Sequence, residues 1–228
     1  MLRPDWRIFV ALDKVHLKKI LQLFLLNEKR RASAIRSDAL QTMKRRDEGP
    51  SPGLDFHVPF WRDAKTHAGG GRDLRDSTIE TMSRAKSRLR LYPLLRDGFL
   101  LWWNEKRRWI NEPIAALPKS INSSFGFADL DGVVKVENLL SLRIGEDKYR
   151  YVYPYFCEKP KMEPEAARLG LWLMGRALPD FKPSEMRILD VLRGETYSLD
   201  KYPLQGNEEE IFSLRYRRIL REWRGHFT

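Results

Sequence analysis

The chain of 228 residues holds a single cysteine, Cys157. Without a second thiol there is no internal disulfide framework and no metal site built on several cysteines, and a reducing compartment is the natural setting. Long apolar runs are scarce as well. The most apolar stretch near the start, Leu17 to Leu26, is interrupted by Lys18, Lys19 and Gln22, which spoils both a signal-peptide core and a membrane span. The expectation is a cytoplasmic protein with no membrane partner. Several signatures are missing too: there is no GxxxxGK[ST] phosphate loop, no GxGxxG after a strand, no HExxH and no GxSxG. The enzyme classes built on them lose their sequence support. Only four histidines occur, at 16, 57, 67 and 226, so Cys157 reads as a buried structural thiol rather than a nucleophile.

What is present is enough for one substantial core. Hydrophobic residues make up 42% and aromatics 11%, which favours a single domain over residues 1–228. The formal net charge is +11, and it is unevenly placed: residues 1–120 carry 25 Lys+Arg against 14 Asp+Glu, while residues 121–228 carry 17 of each. The chain therefore divides into a basic, mostly helical half (1–120) and a charge-neutral α/β core (121–228). Clustered cations gain affinity by displacing condensed counterions from phosphate backbones. DNA or RNA is thus one expected partner, an acidic protein another, and a basic surface without a partner explains the charge as well.

Helical periodicity appears first. Asp13 can cap a helix in which Leu17, Ile20, Leu21 and Phe24 repeat, and the helix is expected to continue past Lys29, with or without a break, towards Arg46. Its later part carries the triplets Lys29-Arg30-Arg31 and Lys44-Arg45-Arg46, which spread around a helix axis and read first as a solvated face. Residues 47–76 contain Gly49, Pro50, Pro52, Gly53, Pro59 and Gly69-Gly70-Gly71, so an ordered loop holding Phe56, Phe60 and Trp61 is expected there. The glycine run could offer amides to an anion, and His57 and His67 could ligate a metal, but no spacing rule unites either set. A second helical region starts near Asp76, with Arg84 and Arg88 on its polar side, and Pro93 kinks or restarts it. Phe99, Trp102, Trp103 and Trp109 follow beside Lys106-Arg107-Arg108.

From Gly132 the period changes to two. Val134, Val136, Leu140, Leu142 and Ile144 alternate with polar residues, Gly145-Glu146-Asp147 turns the chain, and Tyr149, Tyr151, Tyr153 and Tyr155 share one face. This predicts a hairpin over 132–157, its tyrosines packed in a half-buried sheet face rather than stacking bases. A buried helix follows at 164–178, opened by Glu163-Pro164-Glu165. A second hairpin covers 186–204, although Met186, Leu189 and Leu192 also fit a helical period. The last helix has Asn207 as expected cap, acids in its first turn and arginines towards its end. The fold class read from this order is α/β in the broad α+β sense. A helical N-terminal half precedes a mixed sheet with two β-hairpins, a buried central helix and a C-terminal helix.

The order of a helix bearing Glu112, a hairpin, a buried helix, another hairpin and a closing helix resembles the core of RecB-like nucleases of the PD-(D/E)xK superfamily. The resemblance covers roughly residues 95–224 and rests on element order. Active members hold a divalent metal with a carboxylate on one central strand and a (D/E)-x-K tripeptide on the next, whose lysine assists attack by water. It implies Glu137 and Glu158 as metal ligands for Mg2+ or Mn2+, with Glu112 and Lys159 completing a catalytic set. The tripeptide departs from the pattern: in Cys157-Glu158-Lys159-Pro160-Lys161 the lysines stand one and three residues after the glutamate, never two. Either the lysine has migrated or the fold survives without nuclease activity, and the latter is favoured. The expected function is a nucleic-acid-associated protein in which Lys44, Arg45, Arg46, Arg84, Arg88, Lys106, Arg107 and Arg108 contact phosphates. The alternative is a non-catalytic scaffold for an acidic protein.

Overall fold

A computed structural model describes residues 12–48, 56–106 and 112–227, with the backbone alone at 45–48 and 106. A short strand β1 (Lys14–His16) leads into helix α1 (Leu17–Leu25), which buries Leu17, Ile20 and Leu21 at the predicted spacing. Asp13 does not cap that helix. Its carbonyl accepts from Val133 N–H at 2.6 Å, which draws 13–16 into an extended ladder, and its carboxylate accepts from Arg224 at 2.9 Å.

Helix α2 (Glu28–Glu48) starts after a break at Asn27, whose Oδ1 accepts from Arg30 N–H at 3.0 Å. The loop expected over 47–76 is corrected by an eleven-residue helix, α3 (Val58–Ala68). Pro59 sits in its first turn, where a missing N–H costs nothing, and Phe60, Trp61, Ala64 and Ala68 are buried along it. The glycine run ends the helix instead of facing an anion: the amides of Gly69, Gly70 and Gly71 donate to Lys65, His67 and Thr66 carbonyls. Gly70 adopts φ +76, a conformation open to glycine at no steric cost.

Helix α4 (Leu74–Arg84) is capped by Asp73, which accepts from Arg75 N–H at 2.7 Å, and by His67 Nδ1, which accepts from Leu74 N–H. Pro93 opens a new helix, α5 (Tyr92–Leu101), and Trp102–Lys106 add a π turn. Glu112 lies in a bend before β2 (Ile114–Ala116), not on a helix.

The strands that follow are β3 (Ser123–Phe127), β4 (Gly132–Val136), β5 (Leu140–Ile144) and β6 (Lys148–Tyr155). After helix α6 (Pro164–Ala177) come β7 (Met186–Asp190), β8 (Glu195–Tyr197) and helix α7 (Glu208–Arg224). They form two mixed sheets, ordered β1-β4-β3 and β2-β5-β6-β7-β8. The hairpin predicted over 132–157 is thus half right. β5 pairs antiparallel with β6, Leu140 opposite Val152, but β4 pairs with β3 and β1 in the other sheet. Asn138, with φ +63, redirects the chain between the two sheets. The second hairpin is present, Ile188 opposite Tyr197.

Period-two geometry sorts the five-stranded sheet into two apolar faces. Tyr151, Tyr153, Tyr155, Met186 and Ile188 pack with residues of α1, α6 and α7. Leu140, Leu142, Val152, Leu189 and Val191 pack with α3 and α5. The basic half is therefore wrapped around the neutral half: α1 and α2 pack against α6 and α7 on one side, while residues of α3 and α5 cluster with Leu140, Leu142, Val152 and Leu189 on the other. No helix of the described residues is long and apolar enough to cross a membrane.

Candidate functional site

Glu158 and Lys159 lie just after β6, in a loop tied down from several directions. Both terminal nitrogens of Arg90 donate to the Glu158 carboxylate at 2.6 Å, and that guanidinium holds its carboxyl below the ordinary glutamate range. Arg193 donates to the carbonyls of Cys157 and Glu158 at 3.0 and 2.6 Å and to the buried Asp190 carboxylate at 3.0 Å. Asp190 also accepts from Met162 N–H, while the hydroxyls of Tyr155 and Tyr197 donate to the carbonyls of Pro160 and Met162. Burial pushes the Asp190 carboxyl and the Cys157 thiol up. Glu158 and Lys159 border a cavity of about 730 Å³ with Arg75, Asp97 and Glu105.

The other two carboxylates lie elsewhere. Glu112 receives Lys148 Nζ at 2.6 Å, beside the start of β6, whereas Glu158 follows its end. Glu137 follows β4 in the smaller sheet and faces His16 Nδ1 at 3.6 Å and Lys135 Nζ at 3.9 Å. Glu137 and Glu158 thus stand in different sheets' loops and border different cavities. Among the described residues no three His, Cys, Asp or Glu side chains gather as a metal ion requires. With both Glu158 oxygens given to Arg90, the donor set does not fit an Mg2+ or Mn2+ pair. The two histidines weighed for a metal, His57 and His67, fall at opposite ends of α3.

Of the basic residues singled out from the sequence, the three whose side chains are described lie on different elements. Arg84 pairs with Glu80 one turn back on α4, Arg88 lies over the Tyr92 ring at 5.4 Å, and Lys44 is exposed on α2. Arg45, Arg46 and Lys106 lie where the backbone alone is described, and Arg107 and Arg108 lie outside the described residues.

The structure assembles a different cationic group. At the N-termini of α1 and α3 a cavity of about 370 Å³ is bordered by Lys18, Arg62 and Lys65, by His16 and His57, and by one carboxylate, Glu137. Val58, Trp61, Arg62 and Lys65 share one face of α3 through their three- and four-residue spacing. The indole of Trp61 seats this face by donating to the Asn138 carbonyl at 2.7 Å. Helix α1 is placed by its Lys18 N–H, which donates to the Tyr153 hydroxyl at 2.9 Å. Trp61, Tyr153 and Phe156, all buried, form the cavity's apolar wall.

Lys65 donates to Ser120 Oγ at 2.7 Å, and among the described residues no carboxylate pairs with it. Burial pushes its ammonium down from the ordinary lysine value. Lys65 lies in the last turn of α3, at the negative pole of the helix dipole, and a half-buried cation without a paired carboxylate there still leaves room for an anion. A second hollow of about 490 Å³ continues along α3 and shares Arg62 and Lys65 with the first. Its remaining border is uncharged, including Gly69, Gly71, Pro118 and Ser120.

No protein-family model matches this chain, and no curated protein sequence matches it. The site therefore rests on its geometry. Sequence reading missed it because His16 and Lys18 are distant along the chain from Arg62 and Lys65. A signal was nevertheless present: Trp61, Ala64 and Ala68 repeat at helical spacing behind Pro59.

Proposed function

We propose that this protein binds nucleic acid through its phosphates and does not cleave it, on a RecB-like fold whose nuclease chemistry has been lost. The observation that carries the reading is the cleft between α1 and α3, whose border gathers Lys18, Arg62 and Lys65 with one carboxylate, Glu137, while Arg62 also pairs with the neighbouring Asp63. Phosphate recognition needs such clustered donors and gains further from adjacent helix N-termini. What supports the fold resemblance is the order of hairpin, covering helix, hairpin and closing helix over 140–224. What supports lost activity is the loop after β6. Glu158 is engaged by Arg90, and no lysine stands two residues beyond it.

The test is direct. Labelled single- and double-stranded DNA and RNA are titrated with purified protein, then incubated with Mg2+ or Mn2+. Binding without cleavage is the expected result. Divalent-dependent cleavage abolished by Glu137→Ala would restore the catalytic reading, and absence of binding to all four substrates would leave an acidic protein as the better partner.

A further inference from the structure

We propose that Ser120 and Lys65 form a nucleophile and general-base pair that hydrolyses small carboxylic esters entering the hollow of about 490 Å³ along α3. This activity is separate from nucleic-acid binding. Contact, the state of the amine and the way the pair is held all point to it.

Lys65 Nζ and Ser120 Oγ are 2.7 Å apart, within the reach that a base needs of the hydroxyl proton it removes. A serine hydroxyl attacks a carbonyl poorly unless such a base adjoins it. Both side chains border the hollow, whose apolar wall is Ala116, Leu117, Pro118 and Leu140, a lining suited to a short acyl chain.

Burial lowers the Lys65 pKa, and among the described residues no carboxylate pairs with the amine. The charged and titratable groups that share its two cavities are Arg62, which pairs with Asp63, and Lys18, His16, His57 and Glu137. Glu137 is turned to His16 and Lys135, and on α4 Asp73 is turned to His67. The negative end of α3 favours the protonated amine and burial the neutral one. Protonated, Lys65 donates to Ser120 and is one of the cations of the cleft. Neutral, its lone pair accepts the hydroxyl's hydrogen bond.

Asn138 registers the two partners. Its carbonyl accepts from the Trp61 indole on α3, and its N–H donates to Asn122 Oδ1 at 2.8 Å, two residues beyond Ser120. The other end of that loop is fixed by Leu117 N–H, which donates to the Ser141 carbonyl at 2.8 Å.

In the reaction, Ser120 Oγ bonds to the ester carbonyl carbon as its proton passes to neutral Lys65. The carbon–oxygen bond to the alcohol then breaks, and Lys65 returns the proton to the departing oxygen. Water attacks the acyl-serine by the same route: Lys65 takes its proton, the carboxylic acid forms, and Ser120 leaves with the proton restored.

The experiment treats the full chain with a fluorophosphonate, which phosphonylates activated serines with loss of fluoride, and measures hydrolysis of p-nitrophenyl butyrate from neutral to alkaline pH. Peptide mass spectrometry should place the label on Ser120, and the rate should rise with pH to a midpoint below the ordinary lysine value. Ser120→Ala should abolish both. Lys65→Met and Lys65→Arg should each slow them by about 100-fold or more, the scale of general-base catalysis, because an arginine keeps the charge but does not give up its proton. Melting curves check that the variants fold, and the labelled position and pH profile of the parent test the pair without any substitution. Labelling elsewhere, turnover unchanged in Ser120→Ala, parent-like rates in Lys65→Arg, or neither labelling nor turnover in the parent would overturn the proposal and leave the nucleic-acid reading standing.

Discussion

Lys65 and Glu158 show how single ionisable groups divide between binding and architecture. Burial lowers the Lys65 pKa, so the charged form is penalised in the folded state and the unfolded chain holds its proton to higher pH. Stability linked to this group therefore rises as pH increases through the folded pKa towards the unfolded one. Lys65→Met removes the penalty. The variant should melt no lower than the parent at neutral pH and show a flatter rise of melting temperature in the alkaline range, measured by calorimetry. A clear drop in melting temperature would mean that Lys65 is structural. Glu158 has the opposite sign: Arg90 depresses its pKa, so its stabilising contribution is present above the unfolded value and is lost as pH falls through the folded one. A carboxyl-detected NMR titration should place the Glu158 midpoint below the ordinary glutamate range, and Arg90→Ala should return it there. An ordinary midpoint in the parent would show that the pair is not held in solution.

At the scale of elements, close approach of α5 to the end of β7 depends on Gly98, and anchoring of α7 depends on Glu208. A Cβ at Gly98 would lie 2.1 Å from the Val191 carbonyl oxygen and 2.5 Å from that of Leu192, both backbone atoms that cannot turn aside. Gly98→Ala should cost about 3 kcal/mol or more in a denaturant titration, at the upper end of overpacking penalties; a loss under about 0.5 kcal/mol would contradict the contact, being no more than an ordinary surface change. Glu208 is buried, accepts from the amides of Gln205 and Gly206 at 2.7 and 3.0 Å and pairs with Arg168 at 3.0 Å. Glu208→Ala strands that arginine, and the loss should be about 3–5 kcal/mol. The sequence pointed to Asn207 as the cap, but Asn207 makes no side-chain cap bond. The acid of the next residue reaches back instead, a choice set by Arg168 on another helix and invisible to local spacing. The same division runs through the fold. Patterns confined to one element were legible: Leu17, Ile20 and Leu21 on α1, the alternating tyrosines of β6, and Phe212, Tyr216 and Trp223 on α7. Assignments that needed a distant partner were not. β4 alternates as regularly as β5 yet pairs with β1 and β3, because Asn138 in the left-handed region breaks the run. Arg62 and Lys65 were passed over because glycine and proline counts hid α3, whose Pro59 occupies the one turn that tolerates it.

For the whole molecule, the surplus charge of residues 1–120 and the balance of residues 121–228 have a structural counterpart. Arginines of α7 are spent in ion pairs with other elements: Arg215 with Glu165, Arg217 with Asp129 and Arg224 with Asp13. Exposed pairs such as Arg215–Glu165 and Arg217–Asp129 contribute about 0–1 kcal/mol each, so added salt should leave the melting temperature nearly unchanged while it weakens phosphate binding steeply. The border of the cleft between α1 and α3 gathers Lys18, Arg62 and Lys65 with Glu137, Arg62 pairing with the adjacent Asp63. The most direct measurement is the affinity for single-stranded nucleic acid as a function of salt concentration, in the parent and in the Lys18→Ala/Lys65→Ala double variant. Each phosphate contact adds about −0.7 to the slope of log affinity against log salt for a single strand. The account predicts a steep slope in the parent and one shallower by about 1.4 in the double variant, corresponding to two lost contacts. Identical slopes and affinities in the two proteins would contradict it.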